Sequence, residues 1–275
     1  MGYRILWPAM RWPEGRHIEE QSIAGHQAEF CERFTEVTED QWANCDAVVS
    51  VNDIPEEYRQ QMAKCRIFLT PKVGFDNIDG AAWGERGVPL CNVPDYGTQE
   101  VADHAIALML SLMKGITFHT RELKQDPRGR WRPALNPFGK RLSTCTFGVV
   151  GLGRIGTAAA LRAKAFGMDV VMFDPHRESG AELSIGIRRV DALGELFAQS
   201  DVVSLHAPLS KSTEKMINLE ILAQSKAGLI LINTARGPII DLDALHHAMK
   251  EEMIQACGVD VLTEEPANPN HPLIR

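Results

Sequence analysis

Short runs of Val, Ile and Leu recur along the whole chain, each closed by polar or turn-forming residues. YRILW, DAVVSV, RIFLT, VPLCNV, TFGVVG, DVVMFD, DVVSLH, LILIN and CGVDVL each span only five or six residues. Most lack polar alternation, which predicts parallel strands covered on both faces. Helix-like stretches lie between them. In TAAALRAKAFG, Ala158, Leu161 and Ala165 share one predicted face, and Gly167 stands where a C-cap belongs. Strands alternating with helices in this way predict a doubly wound parallel α/β sheet.

The pattern falls into two series. The first ends near Asn92-Val93-Pro94, and a long helix follows in GTQEVADHAIALMLSLMKGI, with Val101, Ala105, Leu108 and Leu112 repeating at helical spacing. The next stretch, KQDPRGRWRPALNPFGKR, is polar, rich in proline and predicted to be irregular. A domain border is therefore expected near residue 97, giving domains 1–97 and 98–275.

At 275 residues, with 44% hydrophobic and 24% charged positions, the chain has the composition of a globular protein. The net charge of −7 argues against nucleic acid or an anionic membrane as partner. No apolar stretch approaches the roughly 18–20 residues of a membrane span, and the start MGYRILWPAM lacks a signal-peptide pattern. Six scattered cysteines have no C-x-x-C pair and no metal spacing; they read as buried thiols of a reducing cytoplasm.

One turn carries a specific signal. Gly151-x-Gly153-x-x-Gly156 directly follows a predicted strand and opens a helix, and the next strand ends in Asp174. Gly151 permits a tight turn, Gly153 a close approach to a pyrophosphate, and Gly156 close packing of helix on strand. The helix start at Arg154 and Ile155 offers N–H groups to phosphate. Asp174 is set to accept from the adenosine ribose hydroxyls and to repel a 2′-phosphate, which favours NAD over NADP. His176 and Arg177, just beyond, weaken that preference.

A second signal is LILINTARGPIID, residues 229–241, where a buried strand delivers Arg236 at its carboxyl end, on a Gly-Pro corner. Ligands of open α/β sheets sit at strand carboxyl ends.

With VGFDNID, GVPLCNVP, GTQEVADHAIALML, GLGRIG, SDVVSLHAPLSKST, LINTARGPIID and GVDVLTEEP in order, the chain resembles the D-isomer-specific 2-hydroxyacid dehydrogenase family over almost its whole length. CNVPDYGTQEVADH is also similar to the subgroup of C-terminal binding proteins, transcriptional corepressors on this fold. The resemblance implies a flavodoxin-like substrate domain (1–97) and a Rossmann NAD-binding domain (98–275). It implies NAD-dependent interconversion of a small 2-oxo acid and its D-2-hydroxy acid, without a metal. An NAD(H)-sensing scaffold with little turnover is the alternative.

By the same resemblance, Arg236 grips the carboxylate and α-oxygen of the 2-oxo acid and polarises its carbonyl. Glu265, immediately before Pro266, holds a proton-donating histidine, with Glu264 the alternative carboxylate. Asp260 fixes the nicotinamide carboxamide, Thr234 and Ala235 line the nicotinamide, and Pro208 and Thr213 border the cofactor. Val73 and Gly74 offer backbone N–H groups to the substrate carboxylate. The histidines present are expected elsewhere: His206 for shape, His104 for packing or an interface, His246 and His247 on an exposed helix face, and His271 in a loop before the catalytic histidine. Residues 115–140, with Trp131, are expected to embrace a two-fold partner, giving a homodimer through the cofactor domains. In the family the proton-donating Pro-His pair follows the HPL loop, where this sequence stops at Arg275. The expectation is a longer native chain; a protein ending here would lose a general acid, typically worth about 10²–10⁴ in rate.

Overall fold

Alternate residues of the same strand are buried in different cores. Phe147 and Val149 join Ile230 and Ile232 in one hydrophobic cluster, whereas Val150, Leu229 and Leu231 join a second. Successive side chains of a strand point to opposite faces, so this sheet is covered on both sides, as uninterrupted Val/Ile/Leu runs require. The computed structural model describes residues 2–10, 16–126, 128 and 136–274. The chain divides into two compact units, Met1–Gly97 and Thr98–Arg275.

The first unit holds five strands: β1 (Arg4–Trp7), β2 (Gln27–Phe30), β3 (Ala47–Val49), β4 (Ile67–Thr70) and β5 (Leu90–Asn92). All are parallel, in the order β2-β1-β3-β4-β5, the flavodoxin-like arrangement. Its core gathers Leu6, Val48 and Phe68 with the indoles of Trp42 and Trp83. Trp83 is fully buried because its ring nitrogen finds a partner, donating to Asp53 Oδ1 at 2.9 Å.

The second unit holds β6 (Thr146–Val150), β7 (Asp169–Phe173), β8 (Arg188–Arg189), β9 (Val202–Leu205), β10 (Leu229–Asn233) and β11 (Ile254–Val259). Their order, β11-β10-β9-β6-β7-β8, is again wholly parallel. Counted within the unit it is 3-2-1-4-5-6, the Rossmann order, with its switch point between β6 and β9. Both units therefore have the doubly wound parallel architecture read from the sequence.

Several details differ from the sequence expectations. β2 and β8 lie at sheet edges and are built from QAEF and RR, with no apolar run to mark them. β11 begins at Ile254, three residues before CGVDVL, so Asp260 falls just past the strand. The long helix stops at Met113 (Thr98–Met113), and a second helix, Ile116–Gln125, departs at 51°. Gly115, at φ 66°, makes the break, and Asn136 donates to the Leu112 carbonyl at 2.8 Å to cap the first helix. The buried face of that helix is Ala102, Ala105, Ile106, Met109 and Met113, rotated from the predicted one. In the helix Arg154–Ala165, Leu161 is exposed and the small residues Gly156, Ala159, Ala160 and Ala163 face inward. Gly167 does adopt a left-handed C-cap, φ 77°. Among the cysteines, Cys91 is exposed rather than buried. No single helix among the described residues is long and apolar enough to cross a membrane.

A charge cluster closes the amino-terminal edge of the second sheet. Asp201, 5% exposed, accepts from Lys226 Nζ at 2.8 Å, from the Thr146 N–H at 3.0 Å and from Lys140 Nζ at 3.2 Å. Burial raises its carboxyl pKa, but the hydrogen bonds from Lys226, Thr146 and Lys140 outweigh it and hold the group below its ordinary value. The cluster ties the starts of β6, β9 and β10 together. Replacing Asp201 with Ala is expected to cost about 2–3 kcal/mol in urea unfolding, less than the roughly 3–5 of a fully buried pair because Lys226 keeps 43% exposure. A loss under about 0.5 kcal/mol would contradict the assignment.

Candidate functional site

The turn after β6 is shaped by what a Cβ would strike. At Gly151, φ is +91° and a Cβ would lie 2.8 Å from the Ala207 nitrogen, in the backbone leaving β9. At Gly156 a Cβ would come within 2.0 Å of the Gly151 carbonyl oxygen. Any side chain at either position forces the helix off the sheet. Gly153 is different, since nothing lies within 4 Å of its Cβ position. Gly153 is the N-cap of the helix Arg154–Ala165, and no side chain caps that helix. The N–H groups at Arg154 and Ile155 thus face an open cradle with the helix dipole behind them, which suits a phosphate.

Asp174 completes this loop. Its Oδ2 accepts from the Leu152 N–H at 2.8 Å and its Oδ1 from the His176 N–H at 2.9 Å, so the acid at the end of β7 fastens the glycine turn. Each carboxylate oxygen keeps a further lone pair for a hydroxyl donor. Nearby, Arg189 of β8 is committed to the carbonyls of Asp174, Arg177 and Glu178 and lies 3.5 Å from Glu182. Its guanidinium braces this loop from below, and Arg177 itself is exposed.

The carboxyl ends of β9, β10 and β11 carry the remaining candidates of this unit. Thr213 Oγ1 donates to the Pro208 carbonyl at 2.7 Å, which joins two of the predicted residues in one turn. After β10, the fully buried Asn233 organises the chain: its amide donates to the Arg236 carbonyl at 2.9 Å, and its oxygen accepts from the Ala235 N–H at 3.0 Å. Thr234, between them, has a buried hydroxyl without a hydrogen-bond partner among the described residues. The half-buried Arg236 donates to the Ala235 carbonyl at 2.7 Å. A Cβ on Gly237 would lie 2.0 Å from the Leu262 carbonyl carbon, so only glycine lets the post-β11 segment pass behind the arginine. The corner is thereby explained by packing: Gly237 admits Leu262, and Pro238 starts the single turn Gly237–Ile239.

On that post-β11 segment, Glu265 is exposed and its Oε1 accepts from the Leu262 N–H at 3.0 Å. His271 lies elsewhere, 3.6 Å from Asp243 and edge-on to His246, which is half-buried rather than exposed. A cavity of about 230 Å³ opens beside it, between Pro238, Asp241 and Thr263. Asp260 makes a contact that was not expected. Its Oδ1 sits 3.3 Å from His104 Nε2, so the histidine of the long helix partners the predicted carboxamide ligand.

In the first unit, Val73 and Gly74 lie in the bend after β4. The Asn92 amide donates to the Val73 carbonyl at 2.7 Å, and the Lys72 carbonyl accepts from the Val93 N–H at 3.3 Å, which pins that bend to the end of β5. Asn92 and Asn233 are the shaping residues that sequence reasoning missed. Asn92 is the last residue of β5 and Asn233 of β10, and an amide at a strand end was the available signal. Trp131 lies outside the described residues.

His206 closes β9 with Nε2 2.9 Å from Ser204 Oγ. Burial lowers its pKa to about 4, so the ring is neutral at pH 7. Because the unfolded chain takes up this proton first, stability is expected to fall as the pH drops from about 6.5 to about 4, by up to roughly 3 kcal/mol. Urea titrations of wild type and His206→Gln across that window check this: the wild-type curve should be the steeper, and equal slopes would contradict it.

The chain is similar to known proteins over most of its length. The family model described as D-isomer specific 2-hydroxyacid dehydrogenase, NAD binding domain, matches residues 106–275. A glyoxylate reductase of Korarchaeum cryptofilum is 38% identical over 237 residues, 84% of this chain and 70% of that protein. Against this and two further curated relatives, the chain spans from 42% to 70% of their length. Among solved structures, the D-lactate dehydrogenase of Aquifex aeolicus complexed with NAD and lactic acid superposes with a TM-score of 0.83 at 29% identity, covering 95% of this chain and 78% of that one. The NADPH-dependent glyoxylate/hydroxypyruvate reductase of Sinorhizobium meliloti, in complex with NADP and malonate, gives 0.85 at 28%, covering 99% and 83%.

Proposed function

Since this chain belongs to the D-isomer specific 2-hydroxyacid dehydrogenase family, we propose that it interconverts a small 2-oxo acid and its D-2-hydroxy acid with NAD. The observation that carries this reading is one sheet whose carboxyl ends bear an uncapped glycine-turn helix, Asp174 and Arg236 together. When bound, the nicotinamide supplies or accepts the hydride.

The chain's own groups do the rest. The N–H groups at Arg154 and Ile155, reached past Gly151, Gly153 and Gly156, hold the pyrophosphate. Asp174 accepts from the ribose hydroxyls, and its charge disfavours a 2′-phosphate; that supports NAD, although the Sinorhizobium enzyme binds NADP. Pro208 and Thr213 border the cofactor, and the Thr234 hydroxyl, without a hydrogen-bond partner among the described residues, faces the nicotinamide with Ala235. Asp260 accepts from its carboxamide, steadied by His104. Arg236 binds the substrate carboxylate and α-oxygen, drawing charge from the carbonyl as hydride arrives. Glu265 orients the group that gives the oxygen its proton.

Named reductases and dehydrogenases among the relatives favour turnover over an NAD(H)-sensing scaffold of the corepressor kind. The same reading includes a homodimer through the second unit, supported by the exposed Ile116 that starts the helix Ile116–Gln125. Gel filtration giving a monomer at micromolar concentration would remove the dimer.

Glyoxylate, pyruvate, hydroxypyruvate and a branched 2-oxo acid, each assayed for NADH oxidation, test the function. At least one should turn over, and Arg236→Lys should lower its kcat/KM by about 10²–10³, because a point charge cannot replace the planar fork. No oxidation with any of them, alongside tight NADH binding, would favour the sensing scaffold instead. Asp174→Ala should raise the KM for NADH and relax discrimination against NADPH; unchanged values for both cofactors would contradict its assignment.

A further inference from the structure

Two cysteines of the first unit meet at an edge that the proposed chemistry does not use. β3 and β4 pair in parallel with Ala47 opposite Ile67 and Val48 opposite Phe68. Continuing that register backwards by two residues sets Cys45 opposite Cys65. The Arg66 N–H donates to the Asp46 carbonyl at 2.8 Å, so the ladder does extend below the strands. Neighbouring strands lie about 4.8 Å apart, inside the roughly 4.4–6.8 Å that a disulfide needs between Cα atoms. In-register residues also point to the same face of a sheet, and both cysteines are buried in one cluster with Trp42 and Met62.

In the structure the Cys45 thiol donates to the Trp42 carbonyl at 3.4 Å and the Cys65 thiol to the Ile67 carbonyl at 3.5 Å. The neighbouring Cys65 thiol raises the Cys45 thiol pKa, with burial adding to it. Cys45 in turn lowers the Cys65 thiol pKa, where the neighbouring Arg86 also favours the thiolate against the effect of burial. One sulfur is thus readied as nucleophile and the other keeps its proton, the polarity of a dithiol that reacts in two steps. Cys65 is also the more accessible, at 9% exposure against 1% for Cys45.

We propose that Cys45 and Cys65 form a reversible redox pair that closes to a disulfide when the protein meets a peroxide. In the first step the Cys65 thiolate attacks one peroxide oxygen, the O–O bond breaks, and the sulfur is oxidised to a sulfenic acid while hydroxide leaves. In the second the Cys45 sulfur attacks the sulfenic sulfur, the S–S bond forms, and the sulfenic oxygen leaves as water with the Cys45 proton. Two thiols and one peroxide give one disulfide and two waters. The bond ties the amino-terminal ends of β3 and β4, opposite to the carboxyl ends where open sheets bind ligands. Its effect is therefore on the stability of the first unit, through the closed 45–65 loop.

Peptide mapping tests this on the full chain and on Cys91→Ser, which removes the exposed thiol. Each is treated with hydrogen peroxide, denatured, alkylated and digested without reductant. The expected product joins the Cys45 and Cys65 peptides, about 2 Da lighter than the two thiols together, and is separated by dithiothreitol. The oxidised protein should melt several degrees above the reduced one. In Cys45→Ser, Cys65 should be trapped as its sulfenic or sulfinic acid. Recovery of both wild-type cysteines as alkylated thiols would overturn the proposal. So would Cys65 over-oxidised beside a free Cys45, or either of them paired with another cysteine.

Discussion

Everything at the head of the second sheet depends on how closely the helix Arg154–Ala165 approaches β6. A Cβ at Gly156 would overlap the Gly151 carbonyl, and a Cβ at Gly151 would strike the chain leaving β9. These two glycines let the helix start lie against the sheet at the switch point between β6 and β9. Alanines 159, 160 and 163 continue the close contact along the helix, where larger residues would lift it away. Asp174 then bonds the turn from the β7 side, through Leu152. A helix held this near, with no side-chain cap bond at Gly153 among the described residues, leaves its N–H groups and dipole directed at whatever lies above the sheet.

The same device recurs at the other catalytic candidate. Gly237 lets the backbone at Leu262 pass within contact of the β10 corner, and Asn233 binds both Ala235 and Arg236 from inside the strand end. Arg236 is therefore carried by packed backbone rather than by a loose loop, and rigid carriage is what bidentate recognition of a carboxylate needs. The two sites share one sheet, so the spacing between phosphate cradle and arginine is set by β6, β9 and β10. The Asp201 cluster holds those three strands in place from their opposite ends.

How much of this was legible in the sequence follows from the physics of each element. Strands buried on both faces announce themselves as Val/Ile/Leu runs, and all nine predicted runs contain or overlap strands. β2 and β8 escaped because an edge strand pairs through its backbone and can be built from polar residues, so QAEF and RR carry no apolar run to mark them. The glycine turn and Asp174 were legible because their spacing is imposed by sterics within 24 residues of chain. Helix faces were not: in Arg154–Ala165 the inward face is chosen by closeness to the sheet, which favours Ala over Leu161. Contacts between distant positions, such as His104 with Asp260 or Cys45 with Cys65, leave no local pattern at all.

Gly153 separates ligand approach from folding. Its neighbours demand no space, so Gly153→Ala should keep the fold, at a cost of no more than about 1 kcal/mol for the changed N-cap. If a dinucleotide pyrophosphate comes down onto this turn, the added methyl group stands in its way. Fluorescence titration of NADH into wild type and Gly153→Ala, with melting curves for both, measures this directly. The expected result is a Kd raised at least about tenfold with a melting midpoint nearly unchanged; equal affinity for NADH in the two proteins would show that the cofactor does not bind at this turn.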